Sequence, residues 1–193
     1  GFDLAELALT GAQGKLIKAI HATGKPVILV LVTGKPFSIA WEKKHIPAIL
    51  IQWYAGEQEG SSIANILFGK TNPSGHLTVS FPQSSGHLPA YYNHLPTDRG
   101  FYHKPGSYEQ PGRDYVFSSP GPLWAFGHGL TYTTFNYTDM QIQQSIDSIK
   151  VFVTVKNTGR WAGKAVPQLY VRDVFSSIST PVKQLKAFNK VAL

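Results

Sequence analysis

The sequence contains no cysteine and few charged residues. The absence of cysteine excludes disulfides, thiolate metal sites and cysteine nucleophiles. Charged residues make up only 15% of the 193 residues and aromatic residues 12%, a composition that excludes a disordered tail. The apolar run from Pro26 to Val32 is too short to cross a bilayer, so no membrane span is expected. The chain is therefore predicted to be globular.

Basic residues outnumber acidic ones, but they do not form a continuous surface along the sequence. The 18 Lys and Arg against 11 Asp and Glu give a formal net charge of +7, and they are scattered in ones and twos. Nucleic-acid binding is therefore not expected. The 7 His show no ligand spacing supported by acids, so we expect neither a metal site nor a cofactor.

The first third of the chain alternates helical and strand patterns. Helical spacing predicts a helix between Thr10 and Ala22, and a second apolar stripe predicts a helix that ends at Gly69. The runs from Pro26 to Val32 and from Ala48 to Trp53 are typical of strands buried in a parallel sheet. The pattern predicts an α/β region with at least one parallel pair of strands.

The remainder of the chain divides into a long irregular segment and a region of short strands. Residues 82–130 show no periodicity, and we expect functional loops or an extended connector. Strands are predicted around 149–156, 166–172 and 181–193, where Pro167 suggests an edge strand or a bulge. These strands are typical of an all-β sandwich that is truncated at residue 193. Aromatic residues of the connector could stack on sugars or, as we favour, pack against their own domain: Tyr91, Tyr92, Phe101, Tyr102, Tyr108, Tyr115, Phe117 and Trp124.

Two acids offer the only closely spaced carboxylate pair. Glu57 and Glu59 follow a predicted buried strand, where α/β sheets often bind ligands. Two residues apart at a helix start, they point in different directions, and we interpret them as acids favoured by the helix dipole. No nucleophile elbow or phosphate-binding loop is present. Residue patterns alone thus indicate no self-contained active site.

Several strings resemble those of family 3 glycoside hydrolases of the β-glucosidase type. Residues 53–60 (WYAGEQEG), 66–69 (ILFG) and 72–77 (NPSGHL) resemble three successive strings of that family. The strings at 88–93 (LPAYYN) and 126–132 (FGHGLTY) are also similar to it. Further strings resemble the fibronectin type III-like domain that closes many members: 155–159 (VKNTG), 168–173 (QLYVRD) and 181–186 (PVKQLK).

The resemblance implies a domain organisation and a place for the catalytic groups. It implies part of an α/β sandwich with a mostly parallel sheet at residues 1–81, a connector at 82–130, and an incomplete immunoglobulin or fibronectin III-like sandwich at 131–193. In the family, a TIM-like barrel carries the aspartate nucleophile, and a loop of the α/β sandwich carries the glutamate acid/base. We expect this chain to start inside a longer protein and to lack both carboxylates, the acid/base standing immediately before Gly1. The isolated chain is then expected to be inactive.

The resemblance also assigns one substrate contact. Phe2 matches an aromatic residue that lines the aglycone subsite in some members, and a plain core aromatic is the alternative. Asp3 is interpreted as a loop or helix-cap residue. No residue of this chain is assigned a catalytic role.

Two functional hypotheses follow. The first is a fragment of a retaining, exo-acting β-glucosidase that hydrolyses terminal β-glucosides in oligosaccharides or glycosides, with the missing barrel of the same protein as its partner. The second is a non-catalytic carbohydrate-binding or scaffolding module. We expect a periplasmic or secreted location, with a homodimer as the candidate assembly.

Overall fold

A computed structural model describes residues 4–96, 109, 118–119 and 121–193. The described residues fall into two compact units that are interleaved along the chain. The first unit takes its described residues from Gly1–Glu59, Leu77–His128 and Arg172–Gln184. The second takes them from Gly60–His76, Gly129–Val171 and Leu185–Leu193.

The first unit contains a two-stranded parallel sheet. Strand β1 (Ile28–Val32) pairs in parallel with strand β2 (Ala48–Gln52), so that Ile28 lies opposite Ala48 and Val32 opposite Gln52. Helix α1 (Gln13–His21) precedes β1, and helix α2 (Ala40–His45) lies between the two strands in sequence. The predicted parallel pair is confirmed, because both apolar runs form strands and a helical crossover joins them. Helix α2 was not predicted.

The core of this unit forms around Phe81, whose side chain is completely buried. Leu31, Ile39 and Leu123 are the other buried members of the cluster, and strand and connector residues pack around them. Phe81 N–H donates to the Trp124 carbonyl at 2.8 Å, and Leu123 N–H donates to the Phe81 carbonyl at 2.7 Å. The two ends of the long connector therefore meet.

The second unit is built mainly from antiparallel strands. Helix α3 (Glu59–Leu67) leads into it, and Gly69, with φ 70°, follows the helix end in the left-handed conformation that glycine adopts without strain. Strand β3 (Phe135–Gln144) pairs with strand β4 (Ile149–Asn157) around a bulge between Thr138 and Gln141. Four shorter strands form two further pairs, β5–β8 and β6–β7: β5 (Lys164–Ala165), β6 (Gln168–Val171), β7 (Gln184–Phe188) and β8 (Val191–Ala192).

The predicted order of an α/β region followed by an all-β region is confirmed. The strand expected at 166–172 is shorter in the structure, where β6 begins after Pro167 and the separate strand β5 ends before Val166. Pro167 has no N–H for a ladder hydrogen bond, so an interruption there was foreseeable. Within the described ranges, no helix combines the length and apolarity that crossing a membrane requires.

Candidate functional site

The carboxyl edge of the β1–β2 pair is the first candidate site, because ligands of open α/β sheets bind beyond the carboxyl ends of parallel strands. Strand β1 ends at Val32 and β2 at Gln52, and these two residues are direct neighbours in the register. The loops that follow, at residues 33–39 and 53–58, therefore leave the sheet from the same edge.

Thr33 fixes the first of these loops. Its side chain is buried, its hydroxyl donates to the Lys35 carbonyl at 2.8 Å and accepts from Lys35 N–H at 3.1 Å. Its own N–H donates to the carbonyl of Gln52 at 3.0 Å, which continues the sheet pairing by one residue. The loop thus leaves the sheet in one defined direction.

The second loop places an aromatic ring over the first. Tyr54 packs against Gly34 so closely that a Cβ at Gly34 would lie 2.7 Å from Tyr54 Cε2. The remainder of the tyrosine is open, with 77% of its surface exposed. The edge therefore presents an exposed aromatic ring held against a glycine.

Gln52 contributes an unsatisfied amide at the same edge. Its side chain is only 8% exposed, and among the described residues neither Nε2 nor Oε1 has a hydrogen-bond partner. Burial of an unpaired amide lowers stability by about 1–3 kcal/mol, so such groups are uncommon inside proteins. Sequence reasoning treated Gln52 only as part of a buried strand.

Glu57 lies in the turn beyond strand β2, and Glu59 follows two residues later. Glu59 begins helix α3, and its N–H donates to the Gly56 carbonyl at 3.1 Å. Gly56 has φ 78°, and Glu57 is exposed in the turn that follows. This position supports the interpretation of the two residues as acids at a helix start, where carboxylates interact favourably with the helix dipole.

Phe2 and Asp3 lie outside the described residues, so their predicted roles remain predictions. The segment that follows them is anchored to the first unit at two places. Ser85 Oγ accepts from Leu7 N–H at 3.0 Å and donates to Glu6 Oε2 at 2.8 Å. Ser38 N–H donates to the Leu7 carbonyl at 2.8 Å. Leu9 then packs against the buried core.

The described aromatic residues of the connector mainly pack within the protein. Trp124 meets Phe81 edge to face, with ring centroids 5.8 Å apart. Tyr92 stacks on Phe126 at 4.2 Å. Tyr91 differs, because half of its surface is exposed and its ring meets His94 at 6.5 Å. Five of the predicted aromatics lie outside the described residues: Phe101, Tyr102, Tyr108, Tyr115 and Phe117.

A second cluster of chemically versatile side chains connects helices α1 and α2. His45 stacks on Trp41 at 4.3 Å, and His21 meets the same indole edge to face at 5.5 Å. Lys18 Nζ lies 5.2 Å from the Trp41 ring centre, within cation–π range. His45 Nδ1 lies 2.7 Å from the Trp41 carbonyl, and a carbonyl only accepts, so Nδ1 carries the proton. In the described part of the chain no three His, Asp or Glu side chains group as metal ligands would.

Sequence reasoning also missed an aromatic residue on the polar face of the β3–β4 pair. Successive side chains of a strand point to opposite faces, so Phe152 shares a face with Lys150 and Thr154, and Val151 and Val153 belong to the other face. The sequence already indicated this, because Phe152 stands at a position where the alternation of apolar and polar residues predicts a polar one. It was taken only as part of a sandwich strand.

Two family models match the chain in the order of its two regions. The model described as the glycosyl hydrolase family 3 C-terminal domain matches residues 1–132. The model described as a fibronectin type III-like domain matches residues 165–193.

Full-length relatives and a solved structure agree with these matches. A periplasmic β-glucosidase of Salmonella typhimurium is 43% identical over 97% of this chain and 25% of its own length. A β-xylosidase of Formosa agariphila is 41% identical over 100% of this chain and 26% of its own length. The structure of a β-glucosidase from Erythrobacter marinus superimposes with a TM-score of 0.88 and 41% identity, covering 100% of this chain and 24% of that one. The chain thus spans about a quarter of the length of the relatives it matches, and it belongs to glycoside hydrolase family 3, of which it represents the C-terminal α/β domain and the fibronectin type III-like domain.

Proposed function

We propose that the protein containing this chain removes terminal β-linked glucose from oligosaccharides or glycosides by a retaining double displacement. The observation that carries the proposal is the 43% identity to a β-glucosidase across 97% of the chain. That similarity spans both the α/β region and the fibronectin-like region. It therefore extends beyond the short strings on which the resemblance was first based.

We place the two reacting carboxylates outside these 193 residues. Retaining hydrolysis needs a nucleophile and an acid/base about 5–5.5 Å apart. The closely spaced pair in this chain occupies a turn and a helix start at Glu57 and Glu59, which supports a structural role. In this proposal the α/β region forms the rim of the site and a barrel of the same protein supplies the nucleophile. Phe2 lines the aglycone subsite.

Terminal β-linked xylose is the second candidate substrate, because a β-xylosidase is 41% identical over the whole chain. Xylose differs from glucose by the absence of the C6 hydroxymethyl group. A site that hydrogen-bonds this hydroxyl rejects xylose strongly, whereas a site that only accommodates it discriminates weakly. The two candidates therefore differ in measurable specificity.

The test uses the full-length protein with aryl β-glucoside and aryl β-xyloside as substrates. We expect the higher kcat/KM for the glucoside, and proton NMR should detect the β-anomer of glucose as the first product. A higher kcat/KM for the xyloside would favour the second substrate, and initial formation of the α-anomer would contradict retention. Binding of glycosides without hydrolysis of either would instead identify a carbohydrate-binding or scaffolding module.

Three further points belong to the proposal. The division into an α/β domain at 1–81, a connector at 82–130 and a fibronectin-like domain at 131–193 is retained, and limited proteolysis of the full-length protein tests it.

We propose export to the periplasm or the medium, which the name of the Salmonella relative supports and cell fractionation tests. Formation of a homodimer stays a prediction, for which light scattering is the measurement.

A further inference from the structure

A shallow depression of about 410 Å³ lies on the β3–β4 pair in the second unit. The depression is open to solvent, so a ligand bound there would contact the protein on one side only. Its lining combines one aromatic ring and one valine with amide, carboxylate and hydroxyl groups: Asp139, Gln141, Gln143, Phe152, Val153 and Thr154.

Phe152 is the central feature, because it is an aromatic residue on the polar face of the pair. It lies directly opposite Gln141 in the register and is 48% exposed. The apolar residues Val151 and Val155 belong to the opposite face, where they lie opposite Ile142 and Tyr137. Phe152 therefore does not complete the apolar face of this pair, and its ring presents apolar surface among polar neighbours.

The groups around the ring are suited to a neutral polyhydroxylated ligand. The amides of Gln141 and Gln143 can each donate and accept hydrogen bonds, and the hydroxyl of Thr154 can do both. Asp139 is the only charged residue of the lining, and its negative charge disfavours phosphate or sulfate groups. Lys150 lies opposite Gln143 on the same face, outside the lining. A sugar ring offers hydroxyls to such groups and an apolar C–H face to an aromatic ring.

Asp139 occupies an uncommon backbone conformation at the edge of the depression. Its φ is 53°, the only positive value among the described residues other than glycine, and it lies in the bulge between Thr138 and Gln141. Aspartate tolerates this conformation better than most residues, but some strain is still stored. Bulges redirect side chains and occur often beside functional sites. Thr138 Oγ1 donates to Asp139 Oδ2 at 2.9 Å, which orients the carboxylate.

We propose that this face of the fibronectin-like region is a non-catalytic binding surface for a neutral polysaccharide chain. A pyranose ring stacks on Phe152, while Gln141, Gln143 and Asp139 bind its hydroxyls. The proposal does not depend on the catalytic function proposed above, because the surface would retain the protein on a polymer whether or not the polymer is cleaved.

The experiment is native affinity electrophoresis of the full-length protein in gels that contain barley β-glucan. We expect Phe152→Ala to raise the apparent dissociation constant about five- to tenfold, which corresponds to a stacking contribution near 1 kcal/mol. Phe152→Tyr keeps the ring and should bind like wild type. Phe175→Ala is the matched control, because Phe175 is 94% exposed and lies outside the depression.

Phe152→Leu guards against a loss of folding, since it keeps apolar volume without a ring. It should lose binding to the same degree as Phe152→Ala, with a melting temperature like that of wild type. Hydrolysis of a small aryl glycoside should be equal in all variants, so failure of this proposal is distinguishable from failure of the catalytic one. Absence of retardation of the wild-type protein, unchanged binding by Phe152→Leu, or an equal loss in Phe175→Ala would each overturn the proposal.

Discussion

Phe81 and Trp124 are joined through both their backbones and their rings. The Phe81 N–H donates to the Trp124 carbonyl at 2.8 Å, and the two rings meet edge to face at 5.8 Å. Lys43 also contacts this pair, with Nζ 5.2 Å from the Trp124 ring centre and donating a hydrogen bond to the Leu123 carbonyl. The ends of the connector are therefore held together at the core of the first unit.

Phe81→Ala should strongly destabilise this unit. Removing a fully buried phenylalanine leaves a cavity, and the free energy of unfolding should fall by about 3–5 kcal/mol. Urea denaturation followed by tryptophan fluorescence measures this loss, because Trp53 and Trp124 both contact Phe81. Phe81→Leu should lose about half as much. A change below about 0.5 kcal/mol in Phe81→Ala, as expected for an exposed site, would show that Phe81 is not a core residue.

Alanine at two glycines should have different consequences. A Cβ at Gly129 would collide with the carbonyl oxygen of Gly75 and lie 3.0 Å from the His76 ring, so Gly129→Ala should lower stability by about 1–3 kcal/mol. The three atoms nearest to a Cβ at Gly34 belong to the side chain of Tyr54, which is exposed and can move aside. Gly34→Ala should therefore change stability by less than about 1 kcal/mol. Thermal unfolding of the two variants provides the comparison, and equal effects would contradict it.

Asn72 connects three segments of the second unit through one side chain. Its Oδ1 accepts from Thr131 Oγ1 at 2.6 Å and from Tyr132 N–H at 2.8 Å, and its Nδ2 donates to the Ala162 carbonyl at 3.0 Å. Asn72→Ala should lower the free energy of unfolding by about 2 kcal/mol, because all three bonds are lost. Urea denaturation measures this loss. A change below about 0.5 kcal/mol in Asn72→Ala, as expected for an exposed site, would show that these hydrogen bonds do not stabilise the unit.

Glu57→Gln and Glu59→Gln test the position of the catalytic groups in the full-length protein. Glutamine keeps the size of each side chain and removes its charge, so kcat for an aryl glycoside should stay within about twofold of wild type. A catalytic carboxylate behaves differently, since removing a general acid or base reduces the rate by about 10²–10⁴-fold. A fall of that size in either variant would show that this chain carries part of the reaction.

Phe2→Ala tests the aglycone subsite that the family resemblance assigns. Loss of stacking near 1 kcal/mol should raise KM for disaccharides about fivefold, and inhibition by free glucose should change little. Transglycosylation to a sugar acceptor should weaken in parallel. A lower melting temperature with unchanged disaccharide kinetics would instead identify Phe2 as a core aromatic.

Local patterns were sufficient for part of the fold. The runs that became β1 and β2 are apolar apart from Gln52, the pattern typical of strands in a parallel sheet, and this property is visible in the sequence without any partner strand. The spacing of apolar residues likewise predicted helix α1 within the range from Thr10 to Ala22. The order of an α/β region and an all-β region followed from the same local signals.

Strand β3 was not predicted because its bulge changes the phase of the alternation. Tyr137 lies opposite Val155 and Ile142 opposite Val151, so the apolar face passes from an odd to an even position within one strand. One extra residue in β3 between Thr138 and Gln141 shifts the period-two pattern on which a strand prediction depends. Helix α2 is short and is packed through Trp41 and His45, so its stability depends on tertiary contacts that short-range periodicity does not report.

The sequence alone determined the family, the class of fold and the parallel pairing, since each depends on short strings or on local burial patterns. Tertiary structure decided which distant residues become neighbours: Phe81 and Trp124, Tyr54 and Gly34, and Phe152 and its register partner Gln141. Such encounters depend on how the chain closes its loops and on the exact register of its strands. A one-residue shift of register moves every side chain of a strand to the other face, and no local pattern specifies it.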